Sequence, residues 1–185
     1  MRCFISIEIE SSIKKAIGDF IEENNLRKNL QQIRWVNPEN LHITLAFLGE
    51  VAVERIPAVK KIVAEGTLNH HPFTIKLEGL GCFPDIRRPR VVWIGIKDEP
   101  ELLSVREDIN KGLDAAGIFY DKKPFLPHLT IGRVKSPIKI QPEFINKLNF
   151  TASFPVQEIS LMESNLSPKG ASYTVLFSSA LGEIS

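Results

Sequence analysis

Apolar and polar positions along the chain switch between a period of two and a period near 3.6, and the switches mark out its elements. Phe4, Ser6 and Glu8 alternate with Ile5, Ile7 and Ile9, which predicts a strand from Arg2 to Ile9. Ser11 and Ser12 can cap a helix, and Ile13, Ala16, Ile17, Phe20 and Ile21 keep helical spacing until the polar stretch Glu22 to Asn25. Trp35 to Pro38 reads as a connection into a second strand, which starts at His42, runs through Leu48 and ends at Gly49. Pro57 suits the first turn of a second helix, carried by Ile56, Val59 and Val63 and closed by Gly66 and Asn69-His70-His71-Pro72. Phe73 to Leu77 alternates as a strand, and Gly79 to Pro89 reads as a loop.

The second half repeats this order. Val91 to Ile96 is apolar throughout, as in a buried strand, and Pro100 opens a helix with Leu102, Ile109, Leu113 and Ala116 on one face, stopped by Gly117. A strand from His128, a short helix from Pro142 and a strand from Phe154 to Met162 follow. The last strand, Tyr173 to Leu181, has no counterpart in the first half. Phe4 lies 38 residues before His42, and Trp93 lies 35 before His128. The pattern predicts a β-α-β-α-β unit used twice, with approximate repeat units 1–80 and 90–181 of one domain over 1–185. The expected fold is α+β: two lobes related by pseudo-two-fold symmetry, with largely antiparallel sheets around a central cleft.

Composition adds exclusions. Apolar residues at 43% and charged residues at 24% are the balance of a soluble globular protein. No apolar run reaches the roughly 20 residues of a membrane span, and the first residues lack the apolar stretch of a secretory signal. The two cysteines, Cys3 and Cys82, build neither a disulfide framework nor a zinc finger, so a reducing cytoplasm is the simplest setting. A net charge of +1 argues against a general polyanion binder. Local charge is less even. Lys122, Lys123, Arg133, Lys135 and Lys139 face one acid, Asp121, between Tyr120 and Lys139, and Arg87, Arg88 and Arg90 form a second cluster. The first cluster brackets the second histidine strand, which suggests a local anion site.

The chemistry lies in a repeated string, His42-Ile43-Thr44-Leu45 and His128-Leu129-Thr130-Ile131, each with a proline four residues upstream (Pro38 and Pro124). In a strand the His and Thr of each copy share one face and the apolar pair the other. Packing alone gives no reason to repeat the polar pair. An imidazole titrates at about 6.5, so one neutral histidine can take a proton from an attacking group while a protonated one serves the leaving group. The threonines can donate hydrogen bonds to an oxygen between them, an arrangement that suits phosphate with in-line attacking and leaving oxygens. Arg133, at the end of the second strand, adds a cation for a phosphoryl oxygen. A metal site needs three or four ligands, and neither motif brings a third, so no metal and no cofactor are expected. A Gly-x-Ser-x-Gly nucleophile is absent, Cys82 has no distinctive neighbourhood, and His70 and His71 read as solvated turn residues.

Asn40 to Leu45 with Phe47-Leu48-Gly49, and Pro127 to Arg133, resemble the two-histidine phosphoesterase superfamily. Within it they resemble the bacterial and archaeal 2′-5′ RNA ligase family, described as RNA 2′,3′-cyclic phosphodiesterases. Arg2 to Ile7, Phe83-Pro84 with Arg88-Pro89-Arg90-Val91, Leu161 to Ser164, Gly170 and Tyr173 extend the likeness over nearly the whole chain. The resemblance implies metal-free opening of a 2′,3′-cyclic phosphate to a 2′-phosphomonoester. It implies His42 as proton donor to the 3′ oxygen, His128 as base on water, Thr44 and Thr130 on phosphoryl oxygens, and Arg133 on phosphate or RNA. Near-symmetry of the two motifs leaves acid and base interchangeable without that resemblance. Phe83, Arg88, Arg90 and Tyr173 are further candidates for RNA contact, Arg87 joins the arginines, and Phe47 is assigned to core packing ahead of base stacking. The expected partner is RNA with a 2′,3′-cyclic phosphate end, tRNA fragments among the candidates, acted on by a monomer away from membranes. Three alternatives remain: reversible 2′-5′ ligation in the same cleft, a cyclic phosphodiesterase for small nucleotides, and a non-catalytic RNA-binding module.

Overall fold

The N-terminal alternation forms β1 (Arg2–Glu8), but both of its faces are covered, and Cys3 to Ile7 are all buried. A strand with one side on a core and the other under a second layer keeps alternation without keeping exposure. Helix α1 (Ser11–Glu23) buries Ile13, Ile17, Phe20 and Ile21. Its N-cap is Glu10, not a serine, and the Ser12 hydroxyl donates to Glu10 Oε1 at 2.6 Å. After the single turn α2 (Leu26–Asn29) comes β2 (Ile33–Trp35), a strand where the sequence pattern predicts only a connection. Then come β3 (His42–Glu50), α3 (Ile56–Thr67), β4 (Phe73–Phe83), β5 (Val91–Ile96) and α4 (Pro100–Ala115). The chain continues through β6 (His128–Val134), α5 (Pro142–Lys147), β7 (Thr151–Val156), β8 (Glu158–Ser167) and β9 (Gly170–Ala180). This computed structural model describes residues 1–97, 99–168 and 170–182.

The strands form two antiparallel sheets, ordered β3-β1-β8-β9 and β2-β6-β5-β4-β7. In each, a histidine strand lies beside the strand that opens its half of the chain: β3 on β1, and β6 on β5. The third strand is exchanged. β4, from the first half, pairs with β5, and β8, from the second half, pairs with β1. β2 also crosses over, with Trp35 opposite Gly132 on β6. Sheet membership therefore does not follow the halves 1–80 and 90–181, because each sheet takes strands from both. Two further boundaries move. The predicted loop from Gly79 is strand as far as Phe83, with Gly79 at φ +72° beside a register shift. The single strand predicted from Phe154 to Met162 is two strands broken at Gln157, where the chain passes from one sheet to the other. Pro155 is tolerated because β7 is an edge strand.

Ile5, Ile43 and Leu45 from one sheet, Ile94, Leu129 and Ile131 from the other, and Ile17, Val59 and Ile109 from the helices share one apolar core. Helix α3 packs on β8 and β9 and against α4, where the two helices meet glycine to isoleucine. A Cβ on Gly66 would stand 2.6 Å from Ile109 Cγ1 and 3.3 Å from the Ile109 backbone, and one on Gly112 would stand 2.8 Å from Ile62 Cγ2. Overpacking of this kind costs about 1–3 kcal/mol. Gly66→Val should lower the urea midpoint correspondingly with an unchanged m-value, and a midpoint at or above that of the unaltered protein would show that the helices can part freely. Among the described residues no helix is long and apolar enough to cross a membrane.

Candidate active site

The two histidine strands carry the same irregularity at the same place. Opposite β1, Ser6 pairs with Thr44 and Ile5 with Ala46, so Leu45 is bulged out of register. Opposite β5, Trp93 pairs with Thr130 and Val92 with Gly132, so Ile131 is bulged. In both copies the bulge is the residue directly after the threonine. A bulge adds one residue to one strand and re-aims the side chains beyond it. Strict alternation would turn Arg133, five residues beyond His128, to the opposite face from the histidine; the bulge returns it. The equivalent residue in β3 is Phe47, which pairs with Phe4 and is half-buried under the Arg2 guanidinium, 5.0 Å from the ring centre. Phe47 is thus on the cleft side, not in the core position expected for it. Both bulged carbonyls are satisfied: Arg106 Nε donates to Leu45 O at 2.8 Å, and Val36 N, just past the end of β2, donates to Ile131 O at 2.9 Å and extends the β2–β6 pairing.

Each imidazole is anchored in the same way. His42 Nδ1 lies 2.8 Å from the Asn40 carbonyl oxygen, and His128 Nδ1 lies 2.6 Å from that of Leu126. A carbonyl only accepts, so Nδ1 carries hydrogen in both rings. The neutral ring then has its lone pair on Nε2, which is the atom left for chemistry. Thr44 and Thr130 stand two residues on, half-buried, while Ile43 and Leu129 between them and the histidines are wholly buried on the other face.

Aromatic rings wall the two sites. Phe4 lies against His42 at 4.7 Å between centres, and Tyr173 meets His42 edge-on at 5.0 Å. Phe83 meets His128 edge-on at 4.9 Å and touches Trp93 at 5.1 Å. Of the predicted RNA-contact residues, Tyr173 and Phe83 therefore sit beside the imidazoles. Arg88 and Arg90 do not; they line a groove with Val134, Lys135 and Lys139 beyond the end of β6. Phe4, Trp93 and Arg106 carry no sequence signal that marks them for the site. Nor does Arg34, which stands opposite Arg133 across β2 and β6. Two like charges directly opposed disfavour the pairing, and an anion between them would relieve it.

The electrostatics favour neutral rings. Burial, the larger cause, pulls both histidines below the usual imidazole value, and each anchoring carbonyl opposes this. The positive charge of Arg133 lowers both, so one guanidinium is felt by imidazoles from opposite sheets; Lys14 adds to the lowering at His42. Burial pushes the Cys82 thiol up to about 11, which leaves it protonated and a poor nucleophile at neutral pH. His70 is not a solvated turn residue: its Nε2 is 2.9 Å from Asp108 Oδ2 on α4, and 12% of the side chain is exposed. His71 is exposed as expected. Among the described residues no three His, Cys, Asp or Glu side chains group as metal ligands.

Two antiparallel sheets, each presenting an anchored histidine with a threonine two residues on, match the pattern of a two-histidine phosphoesterase. The profile of the 2′-5′ RNA ligase superfamily matches residues 15–167, and the chain belongs to that superfamily. It is 36% identical over 175 residues to an Archaeoglobus fulgidus protein named RNA 2′,3′-cyclic phosphodiesterase, covering 94% of this chain and 96% of the relative. A Thermotoga maritima protein of the same name is 33% identical over 182 residues, with 96% and 94% covered. Among solved structures, TT0787 of Thermus thermophilus matches with a TM-score of 0.82 at 30% identity over 98% of both chains. E. coli LigT complexed with 3′-AMP matches with a TM-score of 0.80 at 28% identity over 97% of both.

Proposed function

We propose that the protein is an RNA 2′,3′-cyclic phosphodiesterase that opens the cyclic phosphate at an RNA end to a 2′-phosphate and a 3′-hydroxyl, without a metal. The observation that carries this reading is the paired anchoring of His42 and His128 by carbonyls two residues upstream, which aims the same kind of nitrogen from each sheet. The names of the Archaeoglobus and Thermotoga relatives support the substrate, and so does the nucleotide with a 3′-phosphate in the LigT complex.

In this mechanism His128, neutral, accepts a proton from water at Nε2 as the water oxygen bonds to phosphorus. The P–O3′ bond breaks in line, and His42, as the imidazolium, passes its Nε2 proton to O3′. The rings end with their protonation exchanged and return through solvent. Thr44 and Thr130 donate to the non-bridging oxygens, and Arg133 offsets charge on the phosphoryl group; fixed donors aimed at developing charge are the strongest kind of help a site gives. The near-symmetric geometry suits either direction of proton flow, and the family resemblance supports His42 as donor and His128 as acceptor.

An assay with a short RNA ending in a 2′,3′-cyclic phosphate, run in EDTA, tests the reading. The expected product end is a 2′-phosphate, formed at the same rate with and without chelator. A 3′-phosphate, or a rate abolished by EDTA and restored by a divalent cation, would reject the mechanism.

A further inference from the structure

A groove of about 660 Å³ is lined by Arg87, Arg88, Pro89 and Arg90 on the β4–β5 connection, by Val134 at the end of β6, and by Lys135, Pro137, Ile138 and Lys139 after it. The volume is in the range of about 300–1,000 Å³ of ligand sites, far more than a single anion fills. Five cations line it and no acid does. None of the five is ion-paired with a described acid, since the carboxylate of Asp85 accepts from the backbone N–H groups of Arg87 and Arg88. The groove starts one residue beyond Arg133, and its two walls are held together where Val134 N donates to Arg90 O at 2.9 Å. Along the chain Arg133 links it to His128 on β6, and Phe83, whose ring meets His128, ends the strand that leads into it.

The pseudo-symmetric position beyond β3 is different. There the pocket is about 200 Å³, it carries Glu50, and its cation, Arg55, already donates from Nη2 to Ala116 O at 2.6 Å. Of these two positions, the one beyond β6 is the one whose lining carries cations without an acid.

We infer that this groove holds the single-stranded RNA leading up to the reacting end, so that the upstream nucleotides leave the cleft past His128. A lining of apolar and cationic side chains suits a flexible strand, whose sugars and bases lie on the apolar residues while its phosphates meet the cations. The inference rests on the proposed RNA substrate, and its test separates the two.

The test compares the unaltered protein with K135A/K139A and with R87A/R88A, each first checked for an unchanged melting temperature. Substrates are an eight-nucleotide RNA with a 2′,3′-cyclic phosphate and the corresponding cyclic mononucleotide; binding of the fluorescently labelled octamer is followed by anisotropy across a salt series. For each double variant kcat/KM on the octamer should fall about tenfold while the mononucleotide is turned over as before. The slope of log affinity against log salt should flatten by about 1.4, at roughly 0.7 per lost phosphate contact on a single strand. Equal loss on both substrates, no loss on either, or preference for a duplex over the single strand would each overturn the groove assignment. If the unaltered protein turns over neither substrate, the proposed function fails, and the groove is judged on binding alone: a flattened slope upholds it as a polyanion site and an unchanged slope rejects it.

Discussion

His128→Ala should lower kcat/KM on a 2′,3′-cyclic phosphate by a factor of about 10² to 10⁴, the worth of positioned acid–base catalysis, and His42→Ala should do the same. The two losses should not multiply. Proton uptake from water and proton delivery to O3′ serve one displacement, and groups that act as a unit are strongly non-additive. The double variant should therefore be little slower than the worse single variant. The fold should survive, because both imidazoles are only partly buried and their polar contacts are to their own strand's approach, at Asn40 and Leu126. His42→Ala leaves a gap between Phe4 and Tyr173, so a small drop in melting temperature is expected there and less at His128, which meets one aromatic ring, Phe83, among the described residues. Circular dichroism and thermal melting check the fold, and steady-state kinetics check the rate. Near-normal turnover by either folded variant would remove the paired-imidazole mechanism. A double variant slower by the product of the two factors would mean that the histidines serve separate steps.

What the sequence made legible was local. His42, Thr44, His128 and Thr130 stand out because a polar pair at a spacing of two occurs twice in apolar strands, and a strand's face is set by that spacing alone. Partner choice in a sheet is not local. Nothing in Phe73 to Phe83 tells that this strand leaves its own half of the chain to pair with Val91 to Ile96, and three residues at Ile33 to Trp35 are too few to show a period. Gly79 reads as a loop because its left-handed backbone is what glycine is chosen for, yet the ladder resumes beyond it. Phe4 and Trp93 had no such signal, since an aromatic residue in an apolar strand reads as core packing until its neighbours are seen: the His42 ring beside Phe4, and beside Trp93 the Phe83 ring that meets His128. Arg106 had none either, since its role depends on reaching the Leu45 carbonyl on the edge strand β3, a contact between elements far apart in the chain.

The same bulges decide what Arg133 can do. Without the extra residue at Ile131 the guanidinium would turn away from His128; with it, one positive charge acts on both imidazoles. Arg133→Met should lower kcat/KM by roughly 10² to 10³, the usual loss when one donor to a developing oxyanion is removed. It should also move the pH profile, and the sign comes from the charges. Burial first and Arg133 second hold both histidines below about 6.5. The profile of kcat/KM, which reports the free enzyme, should be a bell with both limbs below that value, since the reaction needs one ring protonated and one neutral. Removing the cation makes each ring easier to protonate, so both limbs and the optimum should shift to higher pH even as the rate falls. Arg133→Lys keeps the charge and loses the bidentate fork, so its optimum should stay near that of the unaltered protein with the rate only partly recovered. A Met variant that loses rate at an unshifted optimum would place the guanidinium on the substrate alone, out of electrostatic reach of the imidazoles; a Lys variant with the shifted optimum would show that ring protonation depends on the fork and not on the charge.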